Sequence, residues 1–141
     1  MNLTPIRMRA TAWYTFLSGG FLLLQGTSTL LFRLYPPLDQ AFPALLETTR
    51  MIPIHSTLHI VTGLLALGVL RWGGAQGAWW FALLFGTFYT TLGLLGLLTG
   101  LNFGLGLQAF DHPFHLVAGG PGLLAAALSY QRMPRAERLP S

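Results

Sequence analysis

Residues 80–93 read WFALLFGTFYTTLG, and residues 13–26 read WYTFLSGGFLLLQG. Neither stretch holds a charged residue, and each sits inside an apolar run near the roughly 20 residues a helix needs to cross a bilayer. A shift of 67 places Trp13 on Trp80, Tyr14 on Phe81, Leu17 on Leu84, Gly19 on Gly86, Phe21 on Phe88 and Gly26 on Gly93. The first stretch therefore reads as a copy of the second. That reading also decides against a cleaved signal peptide, which Arg7 and Arg9 before an apolar run would otherwise suggest; the run is longer than a usual signal core and no Ala-x-Ala follows it.

Composition agrees with a lipid solvent. Of 141 residues, 52% are hydrophobic and 9% charged, against roughly 25% charged in an ordinary soluble domain, and the mean hydropathy is +0.56. So short a chain has too few charges to cover a water-facing surface. One domain over residues 1–141 follows from the length. Four spans are expected, at Thr11–Phe32, Ile52–Leu70, Ala75–Leu101 and Pro113–Tyr130, separated by RLYPPLDQAFP, RWGGAQG and NFGLGLQAFDHP. Lipid leaves only helices or closed barrels, and these segments are too long and too little alternating for barrel strands. The fold class is all-α and polytopic.

A second recurrence completes the pattern. HIVTG at 59–63 and HLVAG at 115–119 lie 56 residues apart, so the second half has a connection 11 residues shorter between its helices. The chain reads as two copies of a two-helix hairpin, both running in the same sense, as a parallel repeat about an axis along the membrane normal. Arg7, Arg9, Arg71, Arg132, Arg135 and Arg138 fall on one side, and Arg33 and Arg50 on the other with Asp39, Glu47 and Asp111. This asymmetry predicts cytoplasmic termini and places both histidine pairs near the outer face. It also explains the net charge of +4 without a nucleic-acid partner.

The four histidines are the candidate site. His55 and His59 are four apart, His112 and His115 three apart, so each pair shares a helix face. Asp111 suits an N-cap and Pro113 a first helical turn. His59 and His115 occupy equivalent places, so they are expected to face each other across the bundle, with His55 and His112 closer to outer water. Two opposed imidazoles would serve a haem, and His55, His59, His112 and His115 together a divalent transition metal, with Glu47 or Asp111 orienting a ring. The bland alternative is four interfacial histidines bonded to water and headgroups. The absence of cysteine and lysine excludes disulfides, thiolate metal sites, iron–sulfur clusters and a lysine Schiff base. No Walker loop, dinucleotide fingerprint or G-x-S-x-G elbow is present, and no catalytic residue is assigned.

Three further features concern packing. Gly86, Gly93 and Gly100 recur every seven residues with Gly96 between them, a smooth stripe for close helix approach. GGPG at 119–122 predicts a kink or short unwound stretch, because Pro121 cannot donate to the carbonyl of Val117. Trp13, Trp72, Trp79, Trp80 and Tyr130 lie near span boundaries and read as an aromatic belt.

HSTLHIVTGLLALGVL, WWFALLFGTFYTTLGLLGLL and DHPFHLVAGGPGLLAAAL, within residues 11–130, resemble a family of small bacterial four-helix integral-membrane proteins catalogued as a domain of unknown function. The resemblance implies the topology and a bacterial inner membrane, and no activity; GGPG departs from the plainer fourth helix of that family. The reading from sequence is a small membrane binding or accessory protein with an outward-facing histidine cluster. Its rivals are a haem or metal protein handling electrons or ions, and a structural or pigment-binding subunit of a larger membrane complex.

Overall fold

The computed structural model describes residues 10–41 and 51–131. Within them the chain is all-helical, with no strand. Five helices follow in order: α1 (Ala10–Leu34), α2 (Pro36–Ala41), α3 (Pro53–Trp72), α4 (Gly74–Thr99) and α5 (Asp111–Gln131). Among the described residues, α1, α3 and α4 are long and apolar enough to cross a membrane. α5 matches them in length, but Asp111, two histidines, two prolines and three glycines lower its hydropathy.

The boundaries follow local chemistry. α2 starts on Pro36 and Pro37, whose fixed φ and missing N–H suit a first helical turn; the sequence reading took this stretch for a break. Pro53 likewise opens α3. α4 ends at Gly100 with φ +67°, its N–H bonded to Gly96 O, a left-handed C-cap that glycine adopts without strain. Gly100 thus terminates the helix and does not extend the packing stripe. In α5 the helix runs through GGPG without unwinding.

The four long helices run alternately up and down. α1 packs most extensively on α3 and α4 on α5, while the two pairs meet along lighter seams, α1–α5, α3–α4 and α1–α4. Small residues set both main contacts. A Cβ on Gly19 would strike Ala66 Cβ and Gly63 O, and one on Gly86 would strike Leu123 N and Gly119 O. Gly26 lies against Ser56 O and Ile60, Gly93 against His112 O and Leu116. Contacts of this kind let the helix backbones approach closely, and dispersion across them joins each pair.

Leu22, Ala66, Phe81, Phe85 and Tyr89 form the central core, with Phe85 stacked on Tyr89 at 4.1 Å between centroids. Two long-range hydrogen bonds tie the last helix to the others: Tyr14 donates to Ala118 O (2.7 Å) and Trp79 Nε1 to Ala126 O (2.9 Å). Trp79 is therefore a buried strut, whereas Trp13, Trp72 and Trp80 are exposed as belt residues would be. Arg33 Nε donates to Met51 O at 3.0 Å, tying the end of α1 to the entry of α3.

Candidate functional site: a buried histidine–tyrosine cavity

All four histidines lie at the end of the bundle where α1 leaves and α3 begins, and where α4 turns into α5. α3 places His55 and His59 one turn apart on the face turned toward α4 and α5, and their rings meet edge-on at 4.5 Å. α5 brings His115 to the same place, 6.5 Å from the His55 ring. None is an interfacial, water-facing residue, for all four are at most 5% exposed.

His112 is separated from this group. Its ring lies on Gly96 of α4, where any Cβ would run into the imidazole. Three residues before His115 on the same helix, it fills a packing notch while His115 lines the cavity. Among the described residues no three His, Cys, Asp or Glu side chains are grouped to hold a metal ion. The four-histidine metal centre expected from spacing is thus not assembled, because facing along one helix does not ensure convergence across two. Glu47, Arg7, Arg9, Arg50, Arg132, Arg135 and Arg138 lie outside the described residues. The Asp111 carboxylate does not cap the N–H groups of α5; it accepts from Gln108 N at 2.7 Å, closing the turn before the helix.

The residue that sequence reasoning missed is Tyr89. Its hydroxyl is 3.2 Å from His59 Nε2, and its ring meets His115 edge-on at 4.9 Å. It therefore touches both histidines expected to oppose each other. The clue was present: the shift that matches Gly19 with Gly86 places Tyr89 on Leu22, so one copy carries a hydroxyl where the other is apolar.

These groups line a cavity of about 220 Å³ walled by Leu58, Thr62, Phe85, Phe88, Leu92 and Leu105. It has room for about seven waters at roughly 30 Å³ each. The Nδ1 atoms of His55, His59 and His115 are sealed and have no partner among the described residues, so a ligand meets His55 and His115 at Nε2 or at ring carbons. Either direction of the Tyr89–His59 bond leaves capacity unspent. If tyrosine donates, the His59 proton is sealed at Nδ1; if His59 donates, the Tyr89 O–H is free for a third group. Polar capacity left unspent in a buried site costs about 1–3 kcal/mol per group; a bound molecule or ordered water would relieve it at the cavity-facing Nε2 edges and the Tyr89 hydroxyl, though not at the sealed Nδ1 atoms. Comparison with protein-family models, curated proteins and solved structures returns no match for this chain.

Proposed function

We propose that this chain is a four-span integral-membrane binding protein of two parallel-repeat hairpins, resembling the small bacterial family named above, with its histidine cavity near the outer face and both termini cytoplasmic. The observation that carries the binding role is the convergence of three buried histidines and a tyrosine on one cavity with hydrogen-bonding capacity unspent. Among the described residues the cavity is lined by no acid and no serine that could form a triad, which favours binding over catalysis.

The repeat is supported by contacts that correspond pair for pair. Gly19 meets Gly63 and Ala66 where Gly86 meets Gly119 and Gly122; Gly26 meets Ser56 and Ile60 where Gly93 meets His112 and Leu116. The shifts of 67 and 56 relate every one of these partners. α5 is the fourth span on this reading, its polar end lying at the outer boundary, with Gly119 covered by α4 and Gly122 by Tyr14 of α1. Leucines and phenylalanines exposed around the bundle would face lipid or partner subunits of a membrane complex.

The test is to purify the chain in mild detergent beside His59→Ala and His115→Ala, and to record absorption spectra, metal content and organic extracts. A bound species near one per chain in the wild type and lost from both variants is the expected result. Equal content in all three preparations would sink the binding role.

A further inference from the structure

The class of ligand follows from comparing two seams of the bundle, an argument that rests on the binding role above. The histidine cavity lies at the α3–α4 seam. Leu58 and Phe88 line it and are also well exposed on the outer surface, so it opens sideways between helices. His59 sits six residues into α3, ~9 Å along its axis, below any membrane surface that meets the helix end. A sideways opening at that depth leads to acyl chains.

The corresponding seam, α1–α5, is built differently. A hollow of about 270 Å³ there is lined by Ser18, Phe21, Phe114 and Ala118 among others, the counterparts of Phe85, Phe88, Leu58 and Thr62 under the same shifts. The Phe21 and Phe114 rings pack together at 5.5 Å, no histidine lines it, and the Tyr14 hydroxyl is already committed to Ala118 O. Of these two seams, α3–α4 is the one whose described lining brings imidazoles and a tyrosine hydroxyl to a lateral opening.

The cavity's size and chemistry narrow the occupant. At about 220 Å³ it falls below the roughly 300–1,000 Å³ that enclose whole drug-sized ligands, so it takes one substituted ring with the remainder outside. Its walls are aromatic and aliphatic. Among the described residues it is lined by no acid and no arginine, which favours a neutral ligand over a charged one. Two polar sets reach a ligand, the Nε2 edges of His55 on α3 and His115 on α5, and the hydroxyl of Tyr89 on α4, which His59 orients; they suit two acceptors on one ring. A lipid alcohol would engage only one set.

We propose that the cavity binds the head ring of a lipid-soluble quinone. Its carbonyl oxygens accept hydrogen bonds from imidazole Nε2–H and the Tyr89 O–H, and its tail leaves between Leu58 and Thr62 of α3 and Phe88 and Leu92 of α4.

The experiment is calorimetric titration of the full-length chain in detergent with a decyl-substituted 1,4-benzoquinone. Decylbenzene, which lacks the carbonyls, serves as a ligand-side control requiring no mutation. Saturable binding of the quinone alone is expected, weakened about tenfold by Tyr89→Phe or His115→Ala and blocked by Leu58→Trp at the mouth. Val117→Trp at the other seam should leave it unchanged. Binding of decylbenzene equal to the quinone, or indifference to Leu58→Trp, would overturn the proposal. If a metal ion, haem or lipid alcohol binds in a His115-dependent manner and the quinone does not, the quinone assignment fails while the binding role stands. If no species binds in a His115-dependent manner, both fail.

Discussion

Gly119 and Gly120 are neighbours on α5, yet an added methyl should move their stabilities in opposite directions. A Cβ on Gly119 would lie 2.5 Å from Thr90 N, 2.6 Å from Thr90 Oγ1 and 2.8 Å from Gly86 O. Two of these are backbone atoms of α4, which cannot swing aside, so α4 and α5 must separate. Overpacking of this kind costs about 1–3 kcal/mol, and rigid neighbours put the cost at the upper end. Alanine recovers about 1 kcal/mol of helix propensity over glycine, leaving Gly119→Ala about 2 kcal/mol destabilised. A Cβ on Gly120 meets nothing within 4 Å, so Gly120→Ala keeps only the gain of about 1 kcal/mol. The two variants should therefore differ by about 3 kcal/mol. Reversible unfolding in mixed micelles of increasing denaturing-detergent fraction, followed by helical circular dichroism, measures this directly. Variants within about 0.5 kcal/mol of each other would refute backbone contact as the force that joins α4 to α5.

Gly93→Leu should impair assembly more than Leu94→Ala, since Gly93 lies against His112 O and Leu116 while Leu94 is about half exposed; yield and thermal stability in detergent compare them. Tyr14→Phe removes the 2.7 Å bond to Ala118 O and should cost about 1 kcal/mol in the same unfolding assay. Gly96→Ala should expel the His112 ring from its notch and destabilise the chain, whereas quinone titration should change little because His112 does not line the cavity. Reporter fusions after Ser141 and within residues 36–41 should read cytoplasmic and external respectively, and an external C-terminus would reverse the proposed orientation.

Much of the fold was legible because its determinants are local. The ends of α1, α3, α4 and α5 fall within about two residues of those read from the apolar runs. What escaped depends on partners across the bundle. GGPG predicted a kink or a short unwound stretch; the helix does not unwind, with Gly119 and Gly122 covered by α4 and Tyr14. Trp79 looked like a belt residue until α5 supplied a carbonyl for its N–H. Histidine spacing identified the face of each helix but not the rotation of α5 that sends His112 to Gly96 and His115 to the cavity. Tyr89, inside an aromatic-rich segment, carried no local mark of a polar role.

The proposed duplication accounts for where polarity was concentrated. Thr29 and Gly96 correspond, as do Ser56 and His112. In the first hairpin Thr29 Oγ1 and Ser56 Oγ share a buried hydrogen bond of 2.8 Å; in the second a bare Gly96 makes room for a whole imidazole. Two middle-sized residues and one large with one absent fill the same notch, the exchange that a close-packed interior tolerates best. Leu22 and Tyr89 differ in another way, since both reach the central core and only Tyr89 adds a hydroxyl, aimed at His59. That difference does not compensate volume and is not needed for packing. Leu58 and Phe114 complete the divergence, for Phe114 pairs with Phe21 at one seam and Leu58 leaves the other open. Polar residues also stand on α1 where the second hairpin is apolar, Tyr14, Ser18 and Gln25 against Phe81, Phe85 and Leu92; what sets the α3–α4 seam apart is that its hydroxyl and imidazoles converge on one cavity.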